Sequence, residues 1–474
     1  MKNRIERLHG MYDLLPEAYQ HQRWVIDQLS TFLTQAGYAQ VNTPVLERSD
    51  LFEASFGQEL GRKLYAFRLH NRELCLRPEY TASICRLYLD HYQQQPLPLR
   101  FQYAGSIFRY EAPGRARYRQ HTQVGVELFG GNPIATGAEI LQLACHILHE
   151  MRIPNYRLEL GHIGVVSGFI SRLYLDSHAV HLLLSLMEQI SRSEEGERVA
   201  QERLEALYPP DPSLEKLTEA ADQGMQTRYV TSLLDGISVS FGDDDIRREI
   251  VERFLWKMGR SEQRRQILHA LEFLHALHAV SGPPPEVFNE LRALLDRYEL
   301  DPAPLIELQQ LVLIVEQCGV PREQIMLNLS LGRGVSYYTG LVFEIHAQEE
   351  DGFDAHLCGG GRYDHLMSAV GNSGELNACG FAFGVERLLS LIPRQILPSS
   401  VTTQALVIPV NAQHLPYALQ VAQSARALGV CTEVDVADHG VSAGLQLAEQ
   451  RQIRLALIVG DDEQRQGVVT VRDL

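Results

Sequence analysis

The sequence predicts an α+β protein: a unit on an antiparallel sheet, a helical insertion within it, and a small α/β domain at the end. Three observations predict this. Residues 106–131, SIFRYEAPGRARYRQHTQVGVELFGG, read as a charged hairpin. From roughly 176 to 325 one helical pattern follows another. Residues 403–474 alternate apolar strands with helices.

Residues 1–175 make the first part of the catalytic core. Val25, Leu29 and Phe32 fall at helical spacing, Gly37 ends that helix, and Thr43-Pro44 opens the next extended run. Residues 64–67 and 73–76 read as short strands and 81–92 as a helix. In the hairpin, Arg109 and Glu111 share one strand face, and Gln123, Gly125 and Glu127 share another. Pro113, Gly114, Arg115, Arg117 and Arg119 occupy the turn between them. Alternation would normally place a core on such faces, yet here they carry opposed charges. Arginine forks bind phosphate oxygens bidentately, and a carboxylate two residues on can hold an amine or position the fork. The hairpin reads as a nucleotide site built on a sheet rather than on a glycine loop.

The helical insertion spans 176–325. Ile246, Ile250, Phe254 and Met258 recur every fourth residue, and Ser281 to Pro285 breaks the block. The core resumes over 326–392, with strands from 324 to 346, glycine-rich turns at Gly359-Gly360-Gly361, and Gly380 to Gly384 leading into a helix with Glu386 and Arg387. A Pro/Ser/Thr-rich linker precedes the last domain, whose strands are expected at 405–410, 431–436 and 455–460.

A chain of 474 residues fits roughly two to four domains. No run of apolar residues is long enough to span a membrane, and MKNRIERLHG lacks a secretory pattern, so the cytoplasm is the expected location. The seven cysteines include no CxxC pair, which fits reduced structural thiols, and no side chain is assigned as a metal ligand. A net charge of −16 argues against nonspecific nucleic-acid binding while allowing a local basic patch.

Four further segments bear on chemistry. Arg77 to Ala82 places Glu79 and Thr81 at a strand-to-helix junction, where a helix cap is the plain alternative. Arg333 to Gly340 sets an arginine and the pair Tyr337-Tyr338 beside an apolar strand; the tyrosines suit a core equally well. Gly359 to Asp364 reads as a flexible turn ending in Arg362, Tyr363 and Asp364. Arg387 falls in the first turns of a helix, a place where arginine is most often a solvated charge.

Together, and in this order, these segments resemble class II aminoacyl-tRNA synthetases, specifically the histidyl-tRNA synthetase family. FRYE with RYRQ resembles motif 2, GFAFGVERL motif 3, RGVSYYTG and GGGRYD the two histidine signatures, and LRPEYTA the family's LRPEGTA. HGMYDLLP and the strand near Thr43-Pro44 match its N-terminal end and motif 1. The resemblance implies that Arg109, Arg117 and Arg387 hold the phosphates of ATP, with Glu111 and His121 on the nucleotide side. It implies that Glu79, Thr81, Gln123 and Glu127 receive histidine, that Tyr338 and Tyr363 line the imidazole pocket, and that Arg333 stabilises charge as the carboxylate attacks. ATP, Mg2+, histidine, tRNA and a homodimer are the implied cofactors and partners.

Some positions depart from the family pattern. Ser336 replaces the aspartate of RGLDYY, removing a charge; His121 replaces a phenylalanine under the adenine, which predicts weaker or pH-sensitive stacking; Tyr80 replaces a glycine and is expected to crowd the substrate carboxylate. The last domain resembles the family's anticodon-binding domain, shortened at its end, and sets five arginines against eight carboxylates. Phosphate contacts need basic groups, so tRNA is not the sole acceptor to consider. The alternatives are a histidine-binding regulatory subunit resembling that of ATP phosphoribosyltransferase, and a paralog passing activated histidine to another acceptor.

Overall fold

The computed structural model describes residues 5–53, 63–173, 175–176, 179–180, 183, 194–210, 244–331, 337–372, 374, 376–399, 403–437 and 439–474, with backbone alone in 194–197, 199–201 and 244–261. The chain divides into two compact units, Met1–Asp13 with His21–Ile396, and Leu14–Gln20 with Leu397–Leu474.

The first helix, Pro16–Gln35, has Gln22, Val25, Leu29 and Leu33 buried. Its apolar stripe runs inward through Leu33, and the expected Phe32 is only half-buried. Past the helix, Gly37 takes φ +85°, where a side chain would be strained. Strands β1 (Ala39–Gln40), β2 (Leu46–Arg48), β3 (Tyr65–Leu69) and β4 (Arg72–Leu76) follow, the last three forming a small antiparallel sheet in the order β2-β4-β3. Helix Thr81–His91 leads to β5 (Leu99–Phe108) and β6 (Gln120–Phe129), the antiparallel hairpin read from the sequence.

Helix Pro133–Glu150 starts on Asn132, whose Oδ1 accepts from the amides of Ile134 and Ala135, so two orphan donors of the first turn are satisfied. Strand β7 (Tyr156–His162) is followed by helices Ile163–Ile170, Glu194–Leu207 and Asp244–Ala279. The side chains of Ile246, Ile250, Phe254 and Met258 lie outside the described residues. Strand β8 (Ser281–Gly282) and helices Pro284–Arg297 and Ala303–Gln317 precede β9 (Ile325–Asn328), β10 (Leu341–Gln348), β11 (Asp354–Arg362) and β12 (Ala378–Gly384). One nine-stranded sheet results, in the order β1-β5-β6-β12-β11-β10-β7-β9-β8. Helices Pro133–Glu150 and Ala303–Gln317 approach closely at Gly137, where an added Cβ would lie 3.2 Å from Leu311 and 3.3 Å from Leu341.

Two expectations change here. Strand β5 ends at Phe108, so Arg109 and Glu111 lie in the connecting loop, where the Glu111 amide donates to the Arg109 carbonyl in a tight turn. Gly359, Gly360 and Gly361 are not a turn but lie within the second half of β11. Alternation reads a face only where the strand continues, and a glycine run says nothing about what passes over it.

The second unit has a four-stranded sheet, β14-β13-β15-β16, built from β13 (Ala405–Pro409), β14 (Thr432–Val434), β15 (Leu455–Val459) and β16 (Thr470–Asp473). The first three are parallel and joined through helices Leu415–Ala427 and Gly440–Gln450, as the alternating pattern predicts. The antiparallel edge strand β16, with all four residues exposed, had no apolar alternation to announce it.

Candidate active site

Register decides which side chains meet. Residues opposite one another on paired strands share a face. Glu127 of β6 stands opposite Gly380 of β12, which stands opposite Gly361 of β11. The next row is Tyr103, Gly125, Ala382, Gly359 and Glu344, and the row beyond begins with Gly105, Gln123 and Gly384. The centre of this face is thus nearly bare of side chains. Large groups rise from its borders and fold over it: a Cβ on Gly361 would lie 2.9 Å from the Tyr338 ring, and one on Gly105 would collide with the Tyr80 hydroxyl.

At one end of the face sits a buried acid. Glu127 is 1% exposed. Its Oε1 accepts from Thr81 Oγ1 at 2.8 Å, and its Oε2 accepts from the Tyr363 hydroxyl. Burial pushes its carboxyl up to about 8, against the lowering effect of Tyr363 and Thr81. Nearby, Glu79 accepts from the amides of Thr81 and Ala82, so it caps helix Thr81–His91. Its carboxyl is also raised by burial, with Arg109 acting the other way. The capping alternative is therefore correct as geometry. A carboxylate has about four lone-pair sites, so a cap leaves acceptor capacity for a ligand. Tyr337 and Tyr338 meet edge to face at 5.1 Å, and Tyr337 lies 5.8 Å from Tyr363. Tyr80 is fully buried, stacked on Tyr103 at 4.3 Å beneath the Arg77 guanidinium; the ring fills space over Gly105 as part of the core.

At the other end the arginines gather. Arg109 Nε donates to the Pro78 carbonyl at 2.8 Å. Arg117 pairs with Glu111 at 2.8 Å, and Lys63 lies 3.8 Å from the same carboxylate. Arg387 Nη1 donates to the carbonyl and to Nδ1 of His356, each at 2.9 Å. Burial lowers the proton affinity of Arg387, and Arg117 and Arg109 lower it further, as like charges in one place must. His121 is driven down to about 3 by burial and then by Arg109 and Arg387. It is a neutral ring near pH 7, so the expected pH sensitivity of stacking does not arise from it.

Arg387 is aimed by residues that sequence reasoning missed. Its helical neighbour Glu386 accepts from the Tyr12 hydroxyl at 2.6 Å, Gln22 Nε2 at 3.0 Å and the Thr122 amide at 2.8 Å. These bonds tie helix Val385–Leu391 to β6 and to the N-terminal segment. The pairing joins residues 374 apart, and no local pattern encodes that. Arg333 and Ser336 lie outside the described residues. The structure brings together Arg109, Arg117, Arg387, His121 and Glu111 at one end and Glu79, Thr81, Glu127, Tyr338 and Tyr363 at the other, with Gln123 in the rows between.

The raised Glu127 carboxyl has a consequence for stability. An unfolded glutamate releases its proton near 4.5 and this one near 8. Its contribution is therefore full below pH 4.5 and lost as pH rises through 8. Urea midpoints of the ligand-free protein should fall across that interval, and Glu127→Gln should flatten the fall. An unchanged pH slope in the variant would remove Glu127 as the cause.

Comparison with known proteins bears on the family of the chain. The model of the family described as "Histidyl-tRNA synthetase" matches residues 10–238 and 230–388, and that described as "Anticodon binding domain" matches 404–474. Histidine–tRNA ligase of Pyrococcus furiosus is 27% identical over 473 residues, covering 99% of this chain and 94% of that protein. Its counterpart in Methanocaldococcus jannaschii is 28% identical, covering 99% and 95%. Among solved structures, apo S. aureus histidyl-tRNA synthetase superposes with a TM-score of 0.61 at 20% identity, covering 99% of this chain and 97% of that one. A Bacillus halodurans ATP phosphoribosyltransferase regulatory subunit/histidyl-tRNA synthetase gives 0.62 at 22%, covering 96% and 98%; at these identities the likeness is one of fold. With a family model spanning most of the sequence and the two-ended site on its sheet, the chain belongs to the histidyl-tRNA synthetase family.

Proposed function

We propose that the protein activates histidine with ATP to form histidyl-adenylate and transfers it to tRNA. The observation that carries this reading is the arginine cluster at one end of a glycine-floored face and the buried carboxylates at the other. A histidine placed over Glu127 and Glu79 would present its ammonium and ring to Glu79, Thr81, Gln123 and Glu127, with Tyr338 and Tyr363 beside the imidazole. Its carboxylate oxygen would attack the α-phosphorus of ATP and pyrophosphate would leave in line. Arg109 would hold the α-phosphate, and Arg117 and Arg387 the γ-phosphate, offsetting charge that spreads over phosphate oxygens in the transition state. Glu111 would keep Arg117 in place, and neutral His121 would lie under the adenine. We assign Arg333 as the cation nearest the attacked phosphorus on the strength of the family motif alone.

Magnesium prefers oxygen ligands and commonly arrives on the phosphates. The carboxylates beside the arginines are engaged, Glu111 by Arg117 and Glu386 by Tyr12, Gln22 and the Thr122 amide. We treat Mg·ATP as the substrate, with the ion arriving on the phosphates.

We place the domain boundaries at 175, 325 and 392, the protein in the cytoplasm, and the active form as a homodimer through motif 1. No helix among the described residues is long and apolar enough to cross a membrane. The basic groups of the last domain bear on which acceptor is used. In the last domain Arg451 pairs with Glu433, Arg454 with Asp473 and Arg465 with Asp462, while Arg426 donates to the Thr432 carbonyl. The first three pairs are exposed and weakly held, so phosphates can compete for them.

Purified protein should catalyse histidine-dependent pyrophosphate exchange and charge transcribed histidine tRNA. Exchange without charging would move the conclusion to another acceptor. Absence of both, with histidine still bound, would favour the regulatory subunit.

A further inference from the structure

Glu344 and His346 on β10 and His356 on β11 bring a carboxylate oxygen and two ring nitrogens within 4.8 Å of one another. None was marked by the sequence motifs, because the two histidines flank a hairpin and nothing local distinguishes them. A β-bulge makes the cluster. The pairing runs Glu344 with Gly359 and Ile345 with Cys358, then skips to His346 with His356. In regular register Leu357 would face His346, and His356 would point to the opposite side of the sheet.

We propose that Glu344, His346 and His356 form a binding site for a divalent transition-metal ion of the borderline class, such as zinc. The donor set is two imidazoles and one carboxylate, which suits zinc and its neighbours rather than magnesium or calcium. Glu344 Oε2 lies 2.9 Å from His346 Nε2 and 3.9 Å from His356 Nε2, separations that an ion at about 2.0–2.2 Å from each atom can span. His356 Nε2 is buried and makes no hydrogen bond. Behind His346, its Nδ1 faces Asp354 Oδ2 at 3.4 Å, and Arg157 holds that carboxylate at 3.0 Å. Nδ1 makes no hydrogen bond in the metal-free protein, and a carboxylate on that side is placed to take its proton's bond once Nε2 ligates, which raises the basicity of the ligand.

The site also touches the arginine cluster. In the metal-free protein His356 Nδ1 accepts from Arg387. A metal at Nε2 leaves the proton on Nδ1, which then cannot accept. Metal binding and the Arg387–His356 bond are therefore mutually exclusive, and an ion at this site frees the guanidinium from the imidazole.

The test is calorimetric titration of the full chain, stripped with chelator, with zinc alone. Wild type should show one tight equivalent per chain. The double variant His346→Asn, His356→Asn and the single variant Glu344→Gln should each weaken that equivalent at least tenfold. His269→Asn, which changes an exposed histidine near Glu272, should leave it unchanged. Unfolding curves taken alongside separate loss of ligands from loss of fold; a folded double variant that binds zinc with unchanged stoichiometry and affinity overturns the site. A chain whose tight zinc is lost instead in His269→Asn also overturns it.

Discussion

Replacing Arg387 by alanine should lower histidine-dependent pyrophosphate exchange by about 10²–10³-fold, the usual loss when one preorganised charge-stabilising donor is removed. Histidine affinity should stay within about threefold, because Arg387 belongs to the end of the face remote from Glu127. Arg387 is costly to hold: it is half-buried, beside Arg117 and Arg109, and its proton affinity is already lowered. Polar bonds to the His356 carbonyl and ring hold it there, and Glu386 anchors its helix. Such an arrangement is unfavourable until an anion arrives. Arg387→Lys should recover only part of the rate, since an ammonium keeps the charge without the fork. Exchange at the wild-type rate in the alanine variant would remove Arg387 from the phosphate site.

Gly380→Ala should be among the most damaging single methyl additions to this face, costing about 2–4 kcal/mol of stability and most of the histidine affinity. The added Cβ would fall inside the contact distance of Glu127 Oε2 and of the Val126 carbonyl, one a ligand-facing acid and the other backbone. Gly380 pairs with Glu127 and Gly361 within the sheet, so the Val126 carbonyl cannot retreat without disturbing the ladder, and Glu127 can do so only by giving up its bond to the Tyr363 hydroxyl. Gly168→Ala is the control. That glycine lies in helix Ile163–Ile170 with nothing within 4 Å of an added Cβ, and the change should be neutral or stabilising by up to about 1 kcal/mol. Equal urea midpoints for wild type and Gly380→Ala would sink the close-packing argument.

Much of the fold was legible because it rests on local periodicity. The hairpin of β5 and β6, the helix after Glu79 and the alternating last domain all follow from spacing that short segments carry themselves. The reading failed where a residue's role depends on what lies across a strand. Gly359 to Gly361 look like a turn in isolation, yet they are a strand cleared so that the Tyr338 and Phe343 rings can lie against it. Tyr80, expected to crowd the substrate, stacks on Tyr103 and covers Gly105 at the border of that face.

The sequence by itself determined the hairpin of β5 and β6, the alternation of the last domain up to β15, the face on which Gln123 and Glu127 stand, and the kinds of charge the site contains. Backbone propensity and two-residue alternation act within a few neighbouring residues, so they can be read without a partner. Only the tertiary structure decided that Glu386 is tied to Tyr12 and the Thr122 amide, that Glu127 is desolvated enough to hold its proton near neutrality, and that a bulge turns His356 toward Glu344. Those outcomes depend on burial and register between segments hundreds of residues apart, and burial belongs to the assembled sheet rather than to any stretch of chain.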